Sequence, residues 1–321
     1  LSAGACIAGS CGTPKSLTMP AVLNEGDKVA LITPASRIDR NSVDSMAAAL
    51  SGWGLVPVYA EHVADSCGSF GGSDAERTED LLRALRDPEI KAIMCTRGGY
   101  GAAHILCNLP LDSLRRYPKW STGYSDITAL HSAQICAGNM SIHANMATPF
   151  KHGEGTDTVS LMLKDLLYGQ LPTYHSVPHE YDSYGEAEGI LIGGNMSVYG
   201  GLAGSEYDFF NAIDAKEIIL FIEAVGESCR SVNRMLHLLM LRGITDKVKG
   251  IVVGRFVDCP GGNSFESINE MLHFYLKELK IPVAYDFPIG HDESYNYPVI
   301  EGCKVKFTVG PDGSTLKFLE K

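Results

Sequence analysis

The sequence predicts an α/β protein: an N-terminal, doubly wound, mainly parallel sheet domain, followed by a second, C-terminal α/β domain with mixed or antiparallel strands. Three observations carry this. From Lys28 to about Ala144, apolar strand-like runs alternate strictly with amphipathic helical stretches, the pattern of right-handed crossovers feeding a parallel sheet covered on both faces. Beyond residue 186 the strands recur with only two clear helices among them, and the chain closes on a hairpin pattern. The 321 residues are 45% hydrophobic and 20% charged, enough apolar side chain for two cores and unlike a disordered chain.

Taken in order, residues 1–20 read as a flexible tail. The stretch LSAGACIAGSCGTPKSLT is small and polar and lacks the charged and apolar regions of an export signal, which leaves a signal remnant as the weaker alternative and Met19 as a candidate start. In the N-terminal domain, 21–150, Lys28 to Thr33 is predicted as a buried strand, Ser42 to Trp53 as a helix and Val56 to Ala60 as a second strand. Ser73 to Arg86 opens on a Ser/Asp cap, carries Leu81, Leu82 and Leu85, and stops at Asp87-Pro88, the start and stop signals of a helix. A third strand is expected at Ile90 to Thr96, a short helix at Gly101 to Cys107, the end of a fourth strand at Ser121 to Tyr124, and a helix at Asp126 to Ala137. Residues 151–186 hold His152, His175 and His179 with little sustained period and read as a linker. In the C-terminal domain, 187–321, Gly189 to Ile192, Glu217 to Ile222, Gly250 to Gly254 and Val283 to Phe287 are strand-like. Helices are expected at Cys229 to Leu241 and Ser264 to Leu279, and a hairpin at Lys304 to Phe318 turning at Pro311-Asp312-Gly313.

Composition removes several functions. With 27 Lys plus Arg against 38 Asp plus Glu, a net charge of −11 and no basic stripe, nucleic acid is not a partner. No apolar run approaches the roughly 18 residues that span a membrane. The nine cysteines are odd in number and form no Cys-x-x-Cys pair, which suggests mostly buried reduced thiols and a cytoplasmic protein. His175 and His179 stand four apart, but Pro178 breaks any helix that would align them and no acidic third ligand follows, so no metal is expected. No cofactor is expected either.

Chemistry concentrates where strands end. In Gly123-Tyr124-Ser125-Asp126-Ile127-Thr128 a serine sits where a strand hands over to a helix, the setting of a nucleophile elbow. Ile127 replaces the last glycine of the G-x-S-x-G form, and on this motif alone Ser125 reads first as a helix cap and second as a nucleophile. Arg97-Gly98-Gly99-Tyr100-Gly101 ends the third strand. Its glycine amides are candidates for an oxyanion site, with a plain turn or a phosphate cradle as alternatives. The spacing is neither G-x-G-x-x-G nor a P-loop. Glu223 ends an apolar strand, where a carboxylate is rare unless paired, and His291 follows Pro288-Ile289-Gly290 in a loop. Serine, histidine and glutamate are the types an acyl-transfer triad needs: the imidazole removes the hydroxyl proton and the carboxylate fixes the imidazole.

At these residues the chain resembles the LD-carboxypeptidase family, serine peptidases of the S66 type. The resemblance runs from about Met19 to Leu319 through ITPAS (Ile32 to Ser36), TRGGYGA (Thr96 to Ala102), GYSDITAL (Gly123 to Leu130), GILIGGNMS (Gly189 to Ser197), FIEAVGE (Phe221 to Glu227), GIVVGRFVDC (Gly250 to Cys259) and FPIGH (Phe287 to His291). It implies Ser125 as nucleophile, Glu223 as orienting carboxylate and His291 as base, with oxyanion donors near Gly99 and at Asp126. It also implies a homodimer that removes terminal D-Ala from murein tetrapeptides in cell-wall recycling. An exopeptidase must bind the free carboxylate beyond the cut, for which Arg97 is the nearest cation in sequence. Another branch of the family cleaves acyl-adenylates of the microcin C type and carries a tryptophan-bearing loop between the domains. Here that region is short and the only tryptophans are Trp53 and Trp120. Outside the family, a hinged small-molecule binding protein without chemistry and a nucleotide-dependent enzyme are the competing readings.

Overall fold

The computed structural model describes residues 17–262 and 264–319. The chain begins with β1 (Lys28–Ile32), α1 (Arg40–Gly52), β2 (Val56–Tyr59), α2 (Asp74–Arg86), β3 (Ile90–Cys95), α3 (Ala102–Leu106), α4 (Leu111–Arg116), β4 (Trp120–Gly123), α5 (Thr128–Ala137), β5 (Ser141–His143), α6 (Ala147–Gly153) and α7 (Thr158–Leu167). It continues through β6 (Thr173–Ser176), β7 (Gly185–Asn195), α8 (Met196–Gly201), β8 (Ile218–Val225), α9 (Cys229–Leu241), β9 (Gly250–Val257), α10 (Ile268–Leu276), β10 (Val283–Ala284), β11 (Val299–Glu301), β12 (Lys304–Gly310) and β13 (Gly313–Phe318). Two sheets result. One has the order β11-β5-β4-β3-β1-β2 and is parallel except at β11. The other, β10-β9-β8-β7-β12-β13-β6, is parallel from β10 to β7 and antiparallel from β7 to β6. The fold class is the predicted one.

Alternation along a strand explains how the first sheet is buried on both faces. Val29 and Leu31 of β1 join a core cluster with Val43, Met46 and Leu50 of α1. Ala30 and Ile32, pointing the other way, join a second cluster with Leu81 and Leu85 of α2 and Leu130 of α5. Helix α2 begins where its sequence signal places it. The Ser73 hydroxyl accepts the Glu76 N–H at 3.3 Å, and the Glu76 carboxylate accepts the Ser73 N–H at 2.7 Å, a reciprocal cap.

Several segments depart from the sequence reading. Residues 1–16 of the expected tail lie outside the described residues, but Leu17 is buried and Thr18 bridges to Asn139, so the expected tail boundary at residue 20 falls too late. The segment 151–186, expected as a linker, holds α7 and β6. Asp157 caps α7 by accepting the Ser160 N–H at 2.9 Å, and β6 closes the edge of the second sheet. Helix α10 and strand β10 are shorter than expected, and α4, β5 and β11 were not anticipated. Strand β11 matters most for the site. It pairs antiparallel with β5 (Val299↔His143, Ile300↔Ile142, Glu301↔Ser141), so the chain returns from the second sheet to the first and carries the preceding loop beside the end of β5. Of the seven described cysteines none is in a disulfide, and Cys95, Cys136, Cys229 and Cys303 are buried, in line with the expected mostly buried thiols, while Cys67 and Cys107 are exposed.

The junction after β4 is strained. Tyr124 is extended, and Ser125 then turns to φ 63° before a 3-10 turn leads into α5. Left-handed backbone costs a residue with a Cβ about 1–2 kcal/mol and costs glycine almost nothing. Ser125→Gly is therefore expected to be about 1 kcal/mol more stable than Ser125→Ala in urea denaturation, the reverse of the usual order. Equal midpoints would show that the elbow stores no strain. Ser73→Ala, which removes one half of the α2 cap, should lower stability by about 1 kcal/mol in the same assay.

Candidate active site

Ser125 stands at the carboxyl end of β4, where ligands gather in open parallel sheets. Its strand is pinned from beneath. The Gly123 carbonyl accepts hydrogen bonds from His131 Nε2 at 2.9 Å and from the Ala144 N–H at 2.9 Å, while the Ser141 hydroxyl lies 2.8 Å from His131 Nδ1. Burial pushes the His131 imidazole down to about 4, so it serves as a neutral strut. Because a carbonyl only accepts, Nε2 carries the proton.

The glycine turn abuts the elbow. A Cβ on Gly98 would lie 3.0 Å from Ser125 Cβ and 3.2 Å from the Asp126 nitrogen, so any larger residue there would press on the elbow. Gly99 follows at φ 90°. Ser36 shapes this turn from below: its N–H donates to the Gly98 carbonyl at 3.0 Å, and its hydroxyl accepts the Tyr100 N–H at 3.0 Å. With the Gly98 carbonyl held towards Ser36, the Gly99 N–H, trans across the same peptide, faces away from Ser36. Among the described residues, neither the Gly99 nor the Asp126 N–H is used in a hydrogen bond. The Asp126 carboxylate accepts the Ala102 N–H at 2.7 Å, tying the elbow to the start of α3. Burial raises its carboxyl above the usual range, against the opposing effect of that hydrogen bond.

These two loops enclose a cavity of about 190 Å³ lined by Thr96, Arg97, Gly98, Gly99, Tyr124, Ser125, Met146, Thr148 and Pro149. Arg97 is exposed, and its Nη1 donates to the Arg37 carbonyl at 2.8 Å. A wider groove lined by Ser36, Arg37, Gly68, Ser69 and Arg97 adjoins it. Two arginines, Arg37 and Arg97, therefore line the groove beside the Ser125 cavity. Sequence reasoning had found Arg97 but had given no role to Ser36, Arg37, Met146, Thr148 or Pro149. Ser36 closes the ITPAS segment, which stood out only as a family feature.

The carboxylate and imidazole come from the second sheet and the loop after β10. Glu223 is fully buried near the end of β8, opposite Asn195 of β7. Its Oε2 lies 2.6 Å from His291 Nδ1. A carboxylate accepts and does not donate, so Nδ1 holds the ring proton and Nε2 is left with the lone pair of a base. Nε2 is buried and has no hydrogen-bond partner, so a hydrogen bond from Ser125 is not formed. The His291 ring nevertheless packs against Tyr124, the residue before Ser125, with centroids 5.0 Å apart. Ser125, Arg97, Gly99 and Asp126 thus lie on one pair of loops, and the Glu223–His291 pair meets them through Tyr124. A proton acceptor oriented by a carboxylate, beside a strained hydroxyl and two free amides, has the parts that acyl transfer requires.

Among the described residues, no group of three or more His, Cys, Asp or Glu side chains is placed to hold a metal. No helix among them is long and apolar enough to cross a membrane.

Comparison with known proteins adds independent findings. The family description "LD-carboxypeptidase N-terminal domain" matches residues 29–144, and "LD-carboxypeptidase C-terminal domain" matches 188–307. The Bacillus subtilis protein described as a "probable murein peptide carboxypeptidase" is 32% identical over 287 residues, covering 85% of this chain and 86% of its own. The murein tetrapeptide carboxypeptidase of Pseudomonas aeruginosa is 30% identical over 299 residues, covering 87% and 95%. Among solved structures, the muramoyltetrapeptide carboxypeptidase of Oxalobacter formigenes superposes with a TM-score of 0.80 at 23% identity, covering 91% of this chain and 99% of its own. The MccF-like protein of Bacillus anthracis does so with 0.80 at 24%, covering 95% and 100%. At those identities the structures attest the fold alone. The two matched regions span most of the sequence and the two relatives align across most of their length, which makes this chain a member of the LD-carboxypeptidase family of peptidases.

Proposed function

We propose that the protein is a serine LD-carboxypeptidase that hydrolyses the bond between the L-centre of the diamino acid and the terminal D-Ala of murein tetrapeptides. The observation that carries this is the Glu223–His291 pair, buried and 2.6 Å apart, packed through Tyr124 onto the strained Ser125 elbow. His291 Nε2 removes the Ser125 proton as Oγ attacks the scissile carbonyl, and the oxyanion forms against the Gly99 and Asp126 amides. His291 then delivers that proton to the departing D-Ala nitrogen as the C–N bond breaks, leaving an acyl-enzyme. Water, deprotonated by the same imidazole, attacks the ester, and the imidazole passes that proton to Ser125 Oγ as the ester C–O bond breaks, releasing the tripeptide. Loose contacts between base and nucleophile before substrate arrives are common in free enzymes, and Ser125 Oγ has to reach Nε2 only in the Michaelis complex. Arg97, at the cavity edge, is the cation assigned to the D-Ala carboxylate. The same reading carries a homodimer at work in cell-wall recycling in the cytoplasm.

Cleavage of microcin-type acyl-adenylates would use the same three residues. Favouring the carboxypeptidase over it, Trp53 and Trp120 are both buried in the N-terminal half, with Trp53 Nε1 donating to the Gly155 carbonyl at 2.9 Å. Neither is available to stack on a nucleobase. Incubation with murein tri-, tetra- and pentapeptides and with an aminoacyl-adenylate analogue, followed by mass analysis, should show D-Ala released from the tetrapeptide and the analogue intact. The opposite pattern would assign the protein to the other branch.

Ser125→Ala, Glu223→Ala and His291→Ala should each remove most D-Ala release while leaving the folded protein intact. Because such groups act as a unit, the Ser125/His291 double variant should be little worse than either single. Multiplying losses would contradict the assignment.

Amidating the terminal D-Ala, or extending it to D-Ala-D-Ala, should lower kcat/KM at least about 100-fold, as when a site built for a charged hydrogen-bonding group meets an analogue lacking it. Arg97→Gln should narrow the gap between acid and amide by weakening turnover of the acid. Equal rates for acid, amide and pentapeptide would mean that the carboxylate is not read.

A further inference from the structure

His143, a fully buried histidine at the end of β5, touches all three segments that bear the proposed catalytic groups. It lies beside Gly123 in the β4–β5 register, and its ring meets the Tyr124 ring edge-on with centroids 6.0 Å apart. It also meets Phe221, two residues before Glu223, at 5.3 Å and 89°. Its Nε2 lies 3.1 Å from Oδ1 of Asn296, and that same oxygen accepts the N–H of Gly290, the residue before His291, at 3.0 Å. Asn296 Nδ2 donates to Asn145 Oδ1 at 2.8 Å, and Asn145 Nδ2 donates to the Glu293 carbonyl at 2.9 Å. His143 and Asn296 are both fully buried.

Every orientation in this chain is fixed by a backbone group. The Glu293 carbonyl only accepts, so Asn145 must turn its NH₂ towards it and its oxygen towards Asn296. The Gly290 N–H only donates, so Asn296 must turn its oxygen towards Gly290, which obliges His143 to present an Nε2–H. Burial holds the His143 imidazole well below its ordinary pKa, in keeping with that neutral tautomer. The network spans the two ends of the His291 loop, at Gly290 and Asn296, and anchors both to the strand beside the elbow.

We propose that His143, acting through Asn296, is the positioning residue that holds the Ser125, Glu223 and His291 segments in register. This rests on the triad reading above. A misplacement of about 1 Å in such a constellation can cost about a hundredfold in rate, whereas a merely structural histidine would affect stability without a specific effect on turnover.

The test compares His143→Phe, which keeps a ring against Tyr124 and Phe221 but deletes the donor, with His143→Gln, whose amide nitrogen reaches about the Nε2 position. Leu163→Ala, in the buried face of α7, serves as a control for general destabilisation. His143→Phe should lower kcat for D-Ala release about 30- to 100-fold with KM within about threefold, and His143→Gln should recover to within about fivefold of the parent. The far-downfield proton resonance of His291 Nδ1–H should weaken in the Phe variant and persist in the Gln and Leu163→Ala variants. Equal kcat in the Phe and Gln variants, or a Phe variant no slower than the Leu163→Ala control, overturns the proposal. Should His143→Phe not fold, Asn145→Ala removes the anchor to Glu293 and the acceptor of Asn296 Nδ2 while keeping the His143–Asn296–Gly290 contacts. It is expected to lower kcat about tenfold, and unchanged kcat overturns the proposal equally. If the parent protein releases no D-Ala, the functional reading fails. The His291 resonance then decides the positioning role alone, and an undiminished signal in the Phe variant rejects it.

Discussion

A carboxylate with no access to water is the constraint around which this molecule is arranged. Glu223 is fully buried, and an uncompensated ionised carboxyl there would cost several kcal/mol. The His291 Nδ1 proton, 2.6 Å away, is its partner, so the loop bearing His291 must be held against β8 whether or not substrate is present. That loop follows β10, at the far edge of the second sheet, and its downstream end enters β11 of the first. The return strand therefore lays the imidazole between the two sheets, next to the serine elbow. Giving one buried carboxyl group a hydrogen-bond partner, joining two sheets and holding an imidazole beside the elbow are a single structural solution.

The opposite side of the site is built from backbone under tension. Ser125 holds a positive φ, and Gly98 and Gly99 form a turn whose first residue packs tightly against the elbow. Such geometry persists only when surrounding contacts over-determine it. Those contacts are specific: His131 and Ala144 on the Gly123 carbonyl, Ser36 on both ends of the glycine turn, and Asp126 on Ala102. Stability is given up at the elbow and recovered in the hydrogen bonds around it, so amides of the elbow and the glycine turn remain free for a ligand.

The long periodic elements were legible in the sequence because period and caps agreed. Helix α9 occupies the span its spacing predicts, Cys229–Leu241, and the Ser73 signal marks the start of α2. The proposed site residues were legible as types at strand ends, since Ser125, Glu223 and His291 each stand at the end of a strand or in the loop that follows one. Short strands were not. β5 and β11 have three residues each, too few to show alternation, and both exist because of pairing that only the tertiary structure supplies. Helix α7 was readable in principle from Asp157 and the Leu163, Leu166 and Leu167 spacing, but prolines and histidines downstream of it suggested a loop. His143, Asn145 and Asn296 gave no signal at all. Asn296 lies more than 140 residues from the other two, and nothing local distinguishes them from ordinary polar residues.

That link is not the arrangement that stability alone would select. Buried amides and an imidazole must each find partners, and replacing such a group by well-packed apolar side chains is often neutral or stabilising. Here satisfaction is incomplete, for His143 Nδ1 is buried without a partner. What an apolar contact cannot supply is direction. Hydrophobic packing tolerates sliding and rotation, whereas a chain running from the Glu293 carbonyl to the Gly290 N–H fixes both ends of one loop to one strand, each with a single permitted orientation. One apolar cluster runs from the first sheet into the second, and a site whose hydroxyl belongs to one sheet and whose imidazole and carboxylate belong to the other needs a directional contact in addition to that packing. The polar link is thus best understood as the component that sets distance between the two halves, while the two hydrophobic clusters provide the stability that allows it.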